Sequence, residues 1–134
     1  MTMTAQITPA ETKRQILHWR KQVRGLLAQV TQWSRQNKWK VKETTFVIRE
    51  PRIRPYKMPG LTIKTPEGDL IFEPIAMHGF GFAAWVELNA IPTMKRVRLT
   101  PDAQGWIIMT DSLIPLRQPW TAETFVQLAK DLLA

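Results

Sequence analysis

The stretch LTIKTPEGDLIFEPIA, Leu61–Ala76, carries the clearest structural signal in the chain. Its two arms, Leu61–Thr65 and Leu70–Ala76, are rich in residues that favour β-strands. Between them lies Pro66–Asp69 (PEGD), whose proline, glycine and aspartate are typical of a turn. The stretch therefore predicts a β-hairpin, and the segments around it are expected to extend the same antiparallel sheet.

Segments after the hairpin continue the strand pattern. Ala84–Ile91 alternates, with Trp85 and Glu87 on one face and Val86 and Leu88 on the other, as expected for a strand with one buried face. Residues 94–100 and 106–110 predict a second hairpin around the turn at 101–105, and the glycine-punctuated HGFGF (78–82) is expected to be a connection.

Segments before the hairpin are less regular. Thr44–Arg49 is rich in β-formers, but prolines interrupt IREPRIRPYKMPG (48–60), which predicts an edge segment or an extended loop. The sheet is therefore expected to span residues 44–111 as an antiparallel meander of about five strands.

A long helix is predicted before the sheet, over residues 9–40. Thr8 and Glu11 fit a capping box around Pro9. Gly25 lies on the polar side and is expected to divide this helix into two shorter ones. The apolar stripe includes two tryptophans, which fit poorly in a coiled-coil seam, so packing on the chain's own sheet is favoured. The stripe consists of Ile16, Trp19, Val23, Leu26, Val30 and Trp33.

A second helix is predicted at the C-terminal end, over residues 121–133. Thr121 is the expected cap, and Trp120 and Phe125 are spaced for a hydrophobic staple. The chain of residues 1–134 is thus interpreted as a single α+β domain. It has a long N-terminal helix, an antiparallel meander and a C-terminal helix, with both helices against one face of the sheet and residues 1–8 disordered.

The charge is concentrated at one end of the chain. The formal net charge is +8, and the first 42 residues hold nine basic residues and one acid. The remaining residues hold ten of each sign. Such asymmetry suggests that the first third meets an anionic partner, although a solvated helix face also explains it.

Composition excludes several classes of protein. The chain has no cysteine, which rules out disulfides, thiolate chemistry and cysteine-ligated zinc and is compatible with a reducing cytoplasm, where we expect the protein to be located. No apolar run approaches the ~18 residues of a membrane span. The N-terminal MTMTAQITPAE lacks the basic and apolar regions of a signal peptide, so none is predicted.

Catalytic motifs are not found. Neither Ser34 nor Ser112 lies in a Gly-x-Ser-x-Gly elbow, and the only histidines are His18 and His78, of which His18 is expected to be solvated. HGFGF is not a phosphate-binding glycine loop. These observations favour a non-enzymatic protein without a cofactor.

One metal-dependent alternative uses the acids of the predicted sheet. Carboxylates of Asp69, Glu73 and Glu87, together with His78, would suit Mg²⁺ or Mn²⁺ if they converged. Metal-dependent nucleases of the restriction-endonuclease type place an acid on one strand, and an acid, a spacer and a lysine on the next. Asp69 and Glu87 are thus the candidate catalytic residues, but Asn89 stands where the lysine would, and the cation that assists the attacking water is missing. No metal site is predicted.

Nucleic-acid backbone is the favoured partner. Lysine and arginine neutralise phosphates, and an aromatic ring among them can stack on an unpaired base. No motif for reading base sequence accompanies them. The alternative is an accessory or antitoxin-like subunit that docks on an acidic protein. The candidate nucleic-acid-binding residues are Arg14, Lys21, Arg24, Arg35, Lys38, Trp39, Lys40, Arg49, Arg52 and Arg54.

Overall fold

Both helices begin at the caps predicted from the sequence. The structure, a computed structural model, describes residues 8–77, 84–103, 105–109 and 118–134. Helix α1 spans Pro9–Gln36: the Thr8 hydroxyl accepts the Glu11 N–H at 3.1 Å, and the Glu11 carboxylate accepts the Thr8 N–H at 3.3 Å. Helix α2 spans Ala122–Leu133, and Thr121 caps it in the same way with Thr124. The two capping predictions are confirmed.

Helix α1 ends earlier than predicted, at Gln36 rather than near residue 40. Lys38 has a φ of 61°, in the left-handed region. The Lys38 N–H donates to Arg35 O at 3.0 Å and the Trp39 N–H donates to Ser34 O at 2.9 Å, which together form a Schellman motif. Glycine usually occupies this left-handed position and marks the end of a helix. Because a lysine stands here instead, the sequence does not indicate where α1 ends.

The predicted division at Gly25 is wrong. Helix α1 is continuous over 28 residues, which corresponds to a length of about 42 Å. A Cβ built on Gly25 would meet no atom within 4 Å, so the glycine faces open space. A single glycine costs too little to interrupt a helix whose apolar stripe is held by the core.

The sheet has seven strands rather than about five. Successive strands are neighbours and pair antiparallel, so the sheet is the expected meander. Strands β1–β6 correspond to segments that the sequence indicates, and the two-residue strand β7 does not. Strand β2 is longer than its segment because it starts at Tyr56, before the predicted hairpin. The strands are β1 Lys40–Ile48, β2 Tyr56–Thr65, β3 Gly68–Ala76, β4 Trp85–Ile91, β5 Arg96–Asp102, β6 Gly105–Met109 and β7 Gln118–Pro119.

The proline-containing segment divides between loop and strand. Residues 49–55 form the loop that was predicted, but β2 begins at Tyr56 and includes Pro59. Strand β3 pairs with β2 only from Leu61 onward, so Pro59 has a strand neighbour on one side alone. A proline without an N–H is tolerated in such an edge position.

Both helices pack on the same face of the sheet, as predicted. The stripe of α1 and Phe125 of α2 share one core with Leu61, Phe72 and Leu88 of the sheet. Rings of Trp33 and Trp120 lie 5.6 Å apart, and both approach Phe125. The α+β architecture and the packing of the α1 stripe on the chain's own sheet are thus confirmed.

Some predictions concern residues outside the described ranges, namely the N-terminal residues 1–7, the HGFGF connection and Ser112. Within the described ranges, no helix is both long enough and apolar enough to cross a membrane.

Candidate basic interface

The basic residues of α1 lie on two adjoining sides of the helix. Lys13, Arg20, Arg24 and Arg35 fall within about 60° of one another on a helical wheel, beside the buried stripe. We call these four residues the basic flank. Arg14, Lys21 and Arg24 are exposed, and the first two point farther from the core than the basic flank does. Basic side chains therefore lie along the first half of α1, from Lys13 to Arg24, and again in its last turn at Arg35.

A groove lies between the second half of α1 and the β1–β2 hairpin. This long groove has a volume of about 1180 Å³. Arg24 and Arg35 line its helix side, and Thr45 and Pro59 line its strand side. Of the described residues around it, Glu43 is the one acid. The groove has both polar and apolar lining residues, and the charged side chains on its helix side are basic.

A second groove lies between the first half of α1 and residues 52–56. This short groove has a volume of about 540 Å³ and joins segments that are more than 30 residues apart in the sequence. Its apolar lining includes Ile16, Leu17 and Ile53. No acid occurs among the described residues that line it. Its basic lining residues are Lys13, Arg20, Arg52 and Arg54.

A buried carboxylate holds the loop between β1 and β2 in place. Glu50 is 9% exposed, and its Oε2 accepts hydrogen bonds from the Tyr56 hydroxyl and, at 3.1 Å, from the Met77 N–H. Burial and then the contact with Glu50 raise the pKa of the Tyr56 phenol, so the phenol stays a donor.

Arg20 ties the same region to α1. Its guanidinium donates to Lys57 O, with Nη2 at 2.9 Å and Nε at 3.3 Å. Glu50 therefore attaches the basic loop at 49–55 to the core. Arg20 attaches the start of β2, which follows this loop, to α1.

The structure brings together part of the predicted site. Arg24 and Arg35 line the long groove, and Arg52 and Arg54 line the short groove. Arg14, Lys21 and Arg49 are exposed but line neither groove.

Three other predicted site residues do not lie on α1. Lys38 is in the turn that ends the helix, and Lys40 is the first residue of β1; both are exposed. Trp39 is half-buried, and its ring meets Phe125 edge-on at 6.0 Å between centroids. Packing on the core, the alternative to base stacking for this tryptophan, accounts for its position.

Sequence reading missed Leu17, which is 52% exposed and lies within the basic flank. It also left Lys13 and Arg20 out of the site, although they line the short groove with Leu17. The signal available in the sequence was a leucine outside the buried stripe, with Lys13 and Arg20 one turn away on either side.

The acids considered for a metal site do not converge. Glu73 and Glu87 are direct cross-strand partners on the sheet face opposite the helices, but Asp69 faces Ile91 instead. Burial, and then the charge of Glu87, raises the pKa of Glu73. In the part of the chain that the structure describes, no three acidic or histidine side chains could hold a metal ion.

The remaining polar candidates are dispersed. His18 is exposed on α1, whereas Ser34 is buried in the same helix and His78 lies outside the described residues. Arg98 is the cross-strand partner of Glu87, and its guanidinium lies over the Trp85 ring, 5.5 Å from the centroid.

Comparison with protein-family models, with curated proteins and with solved structures found no match to this chain.

Proposed function

We propose that this protein is a non-enzymatic domain that binds the backbone of nucleic acid without reading base sequence, with α1 as its principal contact. The observation that carries the proposal is the meeting of two basic segments that are distant in the sequence. Residues of α1 and of the loop at 49–55 surround the same end of the helix, with four basic side chains in one groove. Nucleic acid carries a phosphate at every nucleotide, so it presents a regular row of anionic groups to such a surface.

The dimensions of the basic surface suit an extended anion. Five of the six basic residues of α1 lie between Lys13 and Arg24, a rise of about 16 Å, which matches roughly five phosphates of one DNA strand at 3.4 Å per nucleotide. Four of the six basic side chains of α1 are arginine, whose planar guanidinium can contact two phosphate oxygens at once.

Base-sequence reading is not part of the proposal. The exposed basic side chains are spread along a helix that is held against the sheet, and the tryptophan nearest to them, Trp39, packs on the core. Contacts to phosphates position a protein on nucleic acid but carry no sequence information directly. We therefore expect affinity to depend on strand length and salt, and little on sequence.

Fluorescence anisotropy with labelled single-stranded and double-stranded oligonucleotides tests the proposal. Affinity should fall steeply between about 50 and 200 mM salt, and the slope of log K against log[salt] counts the phosphates contacted. Unlabelled oligonucleotides of unrelated sequence and equal length should compete equally.

A pair of variants with the same change in net charge locates the interface. Lys21→Glu/Arg24→Glu alters exposed residues of α1, and Arg96→Glu/Lys130→Glu alters exposed residues elsewhere. The α1 variant should lower affinity at least about tenfold and reduce the salt slope by about two, whereas the control should change affinity less than about threefold. Equal losses in the two variants, or the absence of binding at 50 mM salt, would refute the proposal.

A further inference from the structure

The short groove has a feature that phosphate binding does not use. Leu17 is one of few large apolar side chains exposed in the described residues, and it lies between Lys13 and Arg20 of the basic flank. Ile16 and Ile53 adjoin it in the same groove. Three aliphatic side chains in one concave surface favour a partner that supplies apolar groups of its own.

The three aliphatic side chains form the floor of the groove, and the charged side chains around this floor are all basic. Lys13 and Arg20 border it from α1, and Arg52 and Arg54 border it from the loop, with no acid among the described lining residues. A ligand that fills the groove must therefore bring apolar groups to the floor and negative charge to the rim. A bare phosphate backbone meets the second requirement but leaves Leu17 and Ile53 in contact with water.

We propose that the short groove docks a segment of another protein in which one or two large apolar side chains are flanked by aspartate or glutamate. The apolar side chains cover Leu17 and Ile53, and the carboxylates pair with Lys13 and Arg54. Apolar anchors in a groove, with charges at the rim, are a recurring mode of peptide recognition. The rim charges raise the association rate, and burial of the anchors slows dissociation.

This docking site shares its basic rim with the proposed nucleic-acid contact but differs from it in the groove floor, because it depends on aliphatic residues that phosphates do not need. Leu17→Gln removes the exposed leucine without changing charge or helix propensity appreciably. Met94→Gln is the matched control, since Met94 is also exposed, at 75%, and lies in the turn between β4 and β5. Neither residue is buried, so both variants should fold.

Peptide display on the full-length protein supplies the probe. A random peptide library is selected against the wild-type protein, and in parallel against Leu17→Gln and Met94→Gln. Wild-type and Met94→Gln should enrich the same peptides, with carboxylates on both sides of a leucine, isoleucine, phenylalanine or tryptophan, and Leu17→Gln should not. The proposal is overturned if no peptide is enriched, if the enriched peptides lack this pattern, or if Leu17→Gln enriches them equally.

NMR of the isoleucine and leucine methyl groups then identifies what occupies the groove. An enriched peptide should shift the methyl signals of Ile16, Leu17 and Ile53, and these shifts should saturate as the peptide concentration rises. A control peptide with serine in place of the apolar residues should bind at least about tenfold more weakly. Oligothymidine needs only the basic rim of the groove, so it should leave the methyl signals of the floor largely unmoved even where it contacts Lys13, Arg20, Arg52 or Arg54. Shifts of the same methyls by oligothymidine, or by raising the concentration of the protein alone, would assign the groove to nucleic acid or to a second copy and contradict the proposal.

Discussion

Helices α1 and α2 pack side by side on one sheet face, yet they differ in what they present to solvent. Both begin with a capping box, and both bury apolar residues in the same core. The sequence of α1 contains six basic residues and one acid, whereas α2 contains one basic residue and two acids. The two helices share their buried faces, and they differ in the charge of their exposed faces.

The largest expected effects on stability concern the core that both helices help to form. Trp19 is 1% exposed and Phe125 is fully buried. Replacing either with alanine should lower the free energy of unfolding by about 3–5 kcal/mol, because each leaves a cavity in the common core. Urea denaturation measures both. A loss below about 1 kcal/mol for Trp19→Ala would mean that α1 is not held by the sheet, and the comparison would fail.

A milder change at the same position sharpens this test. The Trp19 indole nitrogen is buried and has no hydrogen-bond acceptor among the described residues. Trp19→Phe removes that unsatisfied donor while keeping an aromatic ring, so it should cost much less than Trp19→Ala.

The second prediction concerns the loop at residues 49–55, which adjoins α1. Glu50→Ala leaves the Tyr56 hydroxyl and the Met77 N–H without their buried acceptor and should lower the free energy of unfolding by about 1–3 kcal/mol. Glu43→Ala, at an exposed acid of β1, should change it by less than about 0.5 kcal/mol. Equal urea midpoints for the two variants would show that Glu50 does not anchor the loop.

The third prediction uses the solvent side of α1 as a test of helix stability alone. Because Gly25 is exposed with free space around it, Gly25→Ala should raise the free energy of unfolding by up to about 1 kcal/mol. Ala28→Gly, also exposed on α1, should lower it by a similar amount. A loss on Gly25→Ala would indicate that this position makes a contact that the structure does not show.

The fourth prediction concerns the opposite face of the sheet, which neither helix covers. Folding raises the pKa of Glu73 above its ordinary 4.5, through burial and the facing Glu87. Between the ordinary and the raised pKa the folded state binds more protons than the unfolded state, so the free energy of unfolding falls as pH rises through that window. Glu73→Gln should flatten this dependence and stabilise the protein at neutral pH, whereas Glu67→Gln, at an exposed turn, should not. Urea denaturation at a series of pH values measures this; an unchanged pH dependence in Glu73→Gln would contradict it.

Much of what the two helices share could be predicted from the sequence, because it depends on local patterns. The capping box at Thr8, the N-cap at Thr121, the hairpin that turns at Pro66 and Glu67 and the alternation of β4 all follow from residues a few positions apart. The predicted turn extended to Asp69, but Gly68 and Asp69 belong to β3. The missed features depend on unusual or distant contacts. Lys38 occupies a position where glycine is typical, and Pro59 lies in a strand only because β3 leaves its side unpaired.

The two grooves could not be predicted for the same reason. Each is formed by α1 and by residues of the β1–β2 hairpin, and their meeting depends on how the helix crosses the sheet. Helical periodicity separates buried from exposed positions, and it places Arg20 and Leu17 beside the stripe. It does not reveal which loop will lie against them.

The most direct test of the central claim compares one lysine on each helix. Lys21 of α1 and Lys130 of α2 are both exposed, and Lys21→Glu and Lys130→Glu change the net charge equally. Oligonucleotide anisotropy across about 50 to 200 mM salt should show several-fold weaker binding and a salt slope smaller by about one for Lys21→Glu, with Lys130→Glu close to wild type. If both variants bind as the wild type does, or weaken equally, the basic surface of α1 is not the nucleic-acid contact.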